Sequence, residues 1–168
     1  MLTWVLILTS FAVQIAKSFG AEVTGVCSTR NVEIVRSIGA DHIIDYKKEC
    51  LTQHEERYDV VLGVNGSNSI SAYKRVLKSN GHFVHVGGSE SQLYQTLFLG
   101  PFISMTGSKK MSSLLQRANQ KDLNDIKALL EIGKVKPIID KRFKLSEITE
   151  AFNYFQEGHA QGKVVITL

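Results

Sequence analysis

The stretch WVLILTSFAVQIAKSFGAEVTGV, Trp4 to Val26, decides the fold. A short apolar run rich in β-branched residues, Val5-Leu6-Ile7-Leu8, passes through Thr9-Ser10 into Phe11 to Phe19, whose residues suit a helix stopped by Gly20. A second strand, Glu22 to Cys27, follows at once. Strand, helix and strand in so short a span make a βαβ unit, in which the helix carries the chain back so that the two strands run parallel. In many such units the first turn carries G-x-G-x-x-G, because glycines let the backbone approach a pyrophosphate at the helix N-terminus. Here the turn reads Leu8-Thr9-Ser10 and holds no glycine.

Outward from this unit the alternation continues. Asn31 to Ile38 suits a helix closed by Gly39, His42 to Tyr46 a strand, and Lys47 to Arg57 a polar connection. Tyr58 to Val64 is a β-branched strand ended by Asn65-Gly66, Ile70 to Leu77 a helix, and Asn80-Gly81 a turn. His82 to Val86 is a strand stopped by Gly87-Gly88, and Phe102 to Thr106 a sixth after an irregular passage. Leu123, Ile126, Leu129 and Leu130 mark one face of a later helix closed by Gly133. Ser146 is placed to cap the last helix, whose stripe Ile148, Ala151, Phe152 and Phe155 is expected to be buried before Gly158. Lys163 to Thr167 is expected to return as a strand to the sheet. The pattern predicts an α/β fold, a Rossmann-like doubly wound parallel sheet of about six strands with helices on both faces.

Composition narrows the class. With 168 residues, 43% of them hydrophobic, 21% charged and two proline, the chain is expected to form a single globular domain over residues 1–168. A net charge of +4 is spread over scattered lysines, without a basic run interleaved with aromatics, which argues against nucleic acid. Two cysteines make neither a disulfide framework nor a four-cysteine zinc site, and a reducing cytoplasm is expected. Met1 to Val13 is uncharged, yet it is too short to span a bilayer and lacks a basic leader and a small-residue cleavage site. It reads as a buried strand entering its helix, with no membrane role. The five histidines show no metal spacing, no G-x-S-x-G occurs, and no carboxylate pair stands out, so no catalytic or metal residue is assigned.

The segments FAVQIAKSFGAEVTGVCSTRNVEIVRSIGADHIIDY, YDVVLGVNG, GHFVHVGG and EAFNYFQEGHAQGKVVITL, in this order and spacing, closely resemble the cofactor domain of medium-chain dehydrogenase/reductases, in their zinc-independent, quinone oxidoreductase-like branch. The resemblance covers nearly the whole chain and implies hydride transfer between a nicotinamide cofactor and a quinone, enone or related carbonyl acceptor. It also implies a homodimer, paired through a sheet edge near Phe102 to Thr106. The sequence departs from the family twice. The glycine-rich first turn is shortened by roughly half a dozen residues, and no counterpart of the family's N-terminal catalytic domain is expected here. Two readings follow: the NADP(H)-binding domain of such an oxidoreductase, or a truncated, inactive module that keeps the fold and self-association with little cofactor affinity.

Within that frame the end of the second strand is informative. Sites that take NAD usually carry an acid there for the ribose hydroxyls. Here it reads Cys27-Ser28-Thr29-Arg30, and hydroxyls beside a guanidinium suit a 2′-phosphate. Tyr46 matches a tyrosine that often reaches the same phosphate in NADP-binding relatives. Without the resemblance, Ser28 or Thr29 would read as a helix cap and Arg30 as solvated surface. Asn65-Gly66 and Gly87-Gly88 lie at carboxyl ends of predicted strands, where open sheets bind ligands. Ser108 and Lys109, after the predicted sixth strand, suit either a cofactor contact or a solvated turn.

Overall fold

A computed structural model describes residues 2–5, 10–53, 57–64, 68–87, 94, 96, 98, 107–114, 117–158 and 160–168. Six parallel strands form the main sheet: β1 (Leu2–Val5), β2 (Val23–Cys27), β3 (His42–Asp45), β4 (Tyr58–Val64), β5 (Leu77–Val86) and β6 (Lys110–Ser113). Their order is β3-β2-β1-β4-β5-β6. The order reverses between β1 and β4, the switch point of a doubly wound sheet. Helices α1 (Ser10–Ser18), α2 (Val32–Ser37) and α3 (Ile70–Val76) supply crossovers. All five residues of β2 are buried, as expected of a parallel strand covered on both faces. Val23 and Cys27 pack with Val13 and Val35 on one side, while Val26 joins Tyr73 and Phe83 on the other.

The first strand lies earlier than the sequence suggests, at Leu2–Val5 instead of Val5 to Leu8. Helix α1 already begins at Ser10, so a strand running through Leu8 would leave no room for the turn. Leu6 to Thr9 lie outside the described residues. The uncharged N-terminus is therefore a central strand, with Leu2 paired to both Val23 and Val60. Strand β5 also begins early, because it absorbs Asn80-Gly81 as an irregularity: Tyr58 pairs with Leu77 and Val60 with His82. Asn80 takes φ 66° there, a left-handed conformation that Asn tolerates better than most residues. The sixth strand is found at Lys110–Ser113. The predicted Phe102 to Thr106 lies outside the described residues.

The C-terminal third departs most from expectation. Strand β7 (Ile139–Lys144), which the sequence pattern did not reveal, pairs in parallel with β8 (Lys163–Thr167), and the two form a separate two-stranded sheet. The last strand thus does not rejoin the main sheet. Helix α4 (Gln120–Glu131) forms as predicted, capped by Asn119, whose side chain accepts from the Asp122 amide at 2.8 Å, but none of its residues is buried. In α5 (Ile148–Gln156) only Ala151 is buried; Phe152 and Phe155 are 60% and 65% exposed. With β8 paired to β7, this helix is not pressed onto the main sheet. Ser146 is not its cap either, since a 3-10 turn, Leu145–Glu147, precedes the helix and the Glu147 carboxylate accepts from the Lys144 amide at 2.7 Å.

Two glutamines tie this third to the rest. The Gln14 side chain on α1 donates to the Lys136 carbonyl at 2.9 Å and accepts from the Lys136 amide at 2.8 Å. Gln161, just before β8, reaches the turn after β2, as described below.

Candidate cofactor site

Strands β2 and β3 end side by side, with Cys27 opposite Asp45. Beyond Cys27 the chain turns through Ser28 into a 3-10 turn, Thr29–Asn31, and so into α2. Ser28, Thr29, Arg30, Tyr46, Lys47 and Gly158 line an open cavity of about 530 Å³. The hydroxyls are not helix caps. Ser28 stands at the N-cap position with extended backbone but makes no side-chain cap bond. Its hydroxyl instead accepts from the Asn31 side-chain amide at 3.3 Å, and the Thr29 hydroxyl donates to Asp45 Oδ2 at 2.6 Å. A short bond to a carboxylate is charge-assisted and fixes the turn against β3.

Asp45, at the end of β3, supports the cavity from behind through Thr29. It also accepts from the Lys47 amide at 3.0 Å, and its Oδ2 lies 3.6 Å from Lys48 Nζ. The Thr29 hydroxyl first, then the Lys47 amide and the Lys48 charge, hold its carboxyl below the usual range against the opposing effect of desolvation. Burial, with the Asp45 charge adding to it, pushes the Cys27 thiol up to about 11. Cys27 is thus a neutral core residue and not a nucleophile. Arg30 lies exposed on the rim, Nη2 donating to the Gly158 carbonyl at 3.3 Å. Tyr46 is half-exposed, with the Lys47 ammonium 5.6 Å from its ring centroid. Arginine and lysine lining a cavity whose walls, among the described residues, carry no carboxylate suit a dianionic phosphate.

Of the residues singled out in the sequence, Ser28, Thr29, Arg30 and Tyr46 converge on this cavity. Gly87 ends β5 with φ 64° and does not line it. Asn65, Gly66 and Gly88 lie outside the described residues. Ser108 and Lys109 immediately precede β6, so they stand at the amino ends of the strands, the edge opposite the cavity. There Lys109 Nζ donates to the Lys74 carbonyl at 2.7 Å, and desolvation, Arg57 and Lys74 together lower its pKa. The sequence reading missed Asp45, Lys47 and Gly158. Asp45 and Lys47 flank Tyr46 and were within reach of a strand-end argument, whereas Gly158 arrives from 128 positions away and left no local signal. Among the described residues no group of three or more His, Cys, Asp or Glu could hold a metal ion.

A doubly wound parallel sheet with a phosphate-suited cavity at the carboxyl ends of its strands defines a Rossmann-like nucleotide-binding domain. The zinc-binding dehydrogenase family model matches residues 38–166. The chain belongs to this family, as a cofactor-binding domain of the medium-chain dehydrogenase/reductases of quinone oxidoreductase-like type. It is 33% identical to a mitochondrial NAD(P)H oxidoreductase of Bos taurus, RTN4IP1, over 95% of this chain and 45% of that protein. It is 31% identical to a chloroplastic quinone-oxidoreductase, QR1, of Triphysaria versicolor, over 93% of this chain and 48% of the relative. The chain therefore spans about half the length of these relatives. The solved quinone oxidoreductase of Coxiella burnetii superposes with a TM-score of 0.79 at 23% identity, over 99% of this chain and 52% of that one, a likeness of fold.

Proposed function

We propose that this chain is the NADP(H)-binding part of an oxidoreductase that passes hydride between the nicotinamide and a quinone, enone or related carbonyl acceptor. The observation that carries the reading is the convergence of Ser28, Thr29, Arg30, Tyr46 and Lys47 on one cavity at the ends of β2 and β3. When bound, the nicotinamide supplies the hydride chemistry. The residues of this chain would bind and orient the cofactor: Arg30 and Lys47 would hold the 2′-phosphate, the Ser28 hydroxyl would offer a further hydrogen bond, and Tyr46 would pack at the rim. Asp45 anchors Thr29 and so shapes the turn that presents Arg30. No catalytic residue is assigned here.

One sequence feature favours the second reading, a module with little cofactor affinity. The sequence between β1 and α1, Leu6 to Thr9, holds no glycine, the residue type that lets a backbone approach a pyrophosphate. Titration with NADPH and NADH, for the wild type and Arg30→Ala, tests both points. NADPH is expected to bind better than NADH, and Arg30→Ala to weaken NADPH selectively by about 1–3 kcal/mol. Equal losses for the two cofactors would remove the phosphate role. Low-micromolar affinity for NADPH, about −8 kcal/mol, would overturn the argument for weak binding.

A further inference from the structure

We infer that Gln161 is a positioning residue for the 2′-phosphate subsite, coupling the β7-α5-β8 unit to cofactor selectivity; this rests on the reading of the Arg30 cavity given above. Gln161 Nε2 donates to the Arg30 carbonyl at 2.7 Å and to Asn31 Oδ1 at 3.0 Å. Because the Arg30 carbonyl can only accept, the amide nitrogen must face the turn. Its two N–H bonds thus hold two successive residues of the segment that presents the guanidinium. Glutamate would keep the shape and lose both donors, and asparagine is a methylene too short.

Gln161 is itself fixed from behind. Its backbone amide donates to Asp140 Oδ2 at 3.2 Å, and the Tyr154 hydroxyl donates to the same oxygen at 2.6 Å. Asp140 lies on β7 and Tyr154 on α5. The bond from Arg30 Nη2 to the Gly158 carbonyl, 3.3 Å long, completes the link from the guanidinium side. The Arg30 turn is therefore held on one flank by Asp45 through Thr29 and on the other by the C-terminal unit through Gln161. This orders a long, exposed side chain before the phosphate arrives and lowers the entropic cost of binding it.

Fragments of the cofactor separate this role from fold and from general affinity. Binding of 2′,5′-ADP and 5′-AMP is measured for the full chain as wild type, Gln161→Ala and Gln161→Glu, with folding followed by circular dichroism. Both variants are expected to weaken 2′,5′-ADP roughly tenfold, the loss of about one charge-assisted contact, while 5′-AMP changes by less than about twofold. Equal losses for the two fragments, no loss for either, or unfolding of both variants would each overturn the inference. A wild type that does not prefer 2′,5′-ADP to 5′-AMP would overturn the reading of the Arg30 cavity itself.

Discussion

At the scale of single residues, Asp45 shows how an acid can lie beside the proposed phosphate site with its charge engaged. Its carboxylate faces the Thr29 hydroxyl at 2.6 Å, so its charge is spent on fixing the turn. The folded protein holds the Asp45 pKa below that of an unfolded chain, chiefly through Thr29. The contribution is therefore fully present above the ordinary carboxylate range and is lost as pH falls through the depressed value. Thr29→Val, which keeps the shape and removes the donor, is expected to be less stable than wild type at neutral pH. The difference should shrink as Asp45 is protonated in acid. Urea denaturation at descending pH checks this, and a difference independent of pH would show that Thr29 contributes by packing alone.

At the scale of elements, the approach of α2 to β2 depends on a glycine. A Cβ built on Gly25 would lie 2.3 Å from Val35 Cγ1, a distance at which something must move. Val35 is fully buried and branched at Cβ on a helix, where one rotamer is strongly preferred. Helix α2 would therefore have to shift off the sheet, and the Arg30 turn feeds directly into this helix. Gly25→Ala is expected to destabilise the chain by about 1–3 kcal/mol. The cost should be smaller in a Val35→Ala background, where the clashing methyl is gone. A thermal or urea double-mutant cycle with no coupling between the two positions would contradict this packing argument.

For the whole molecule, self-association is the expectation that the family resemblance and the apolar run before β6 carry. Among the described residues, β6 stands last in the order of the main sheet, hydrogen-bonded to β5. Tyr94 and Phe98 stack with ring centroids 6.4 Å apart and are 57% and 69% exposed. The sequence from Leu97 to Ile103 is apolar apart from its glycine and proline. Exposed aromatic surface and a long apolar run are hazardous for a solitary chain, and a symmetric copy can cover them. The protein is expected to sediment as a dimer at high micromolar concentration, and Ile103→Lys to dissociate it with the fold retained. A monomeric wild type would sink the proposal.

The sequence by itself determined the parallel α/β sheet and the turn that builds the site. β-branched runs such as Tyr58 to Val64 and glycine stops such as Gly20 and Gly39, at φ 75° and 100°, are local signals that survive any tertiary context. The cluster Ser28, Thr29, Arg30 and Tyr46 was legible for a related reason, since neighbouring parallel strands must end on the same edge of the sheet. Only the tertiary structure decided the rest. Helices α4 and α5 carry stripes that look like core, yet Leu123 and Phe152 are 62% and 60% exposed, because amphipathicity fixes which face is apolar and not what covers it. Strand β7 alternates too weakly to announce itself and exists through its pairing with β8. Gly158 and Gln161 reach Arg30 from 128 and 131 positions away, a juxtaposition that no local pattern encodes because it arises only when the C-terminal unit folds back onto the end of β2.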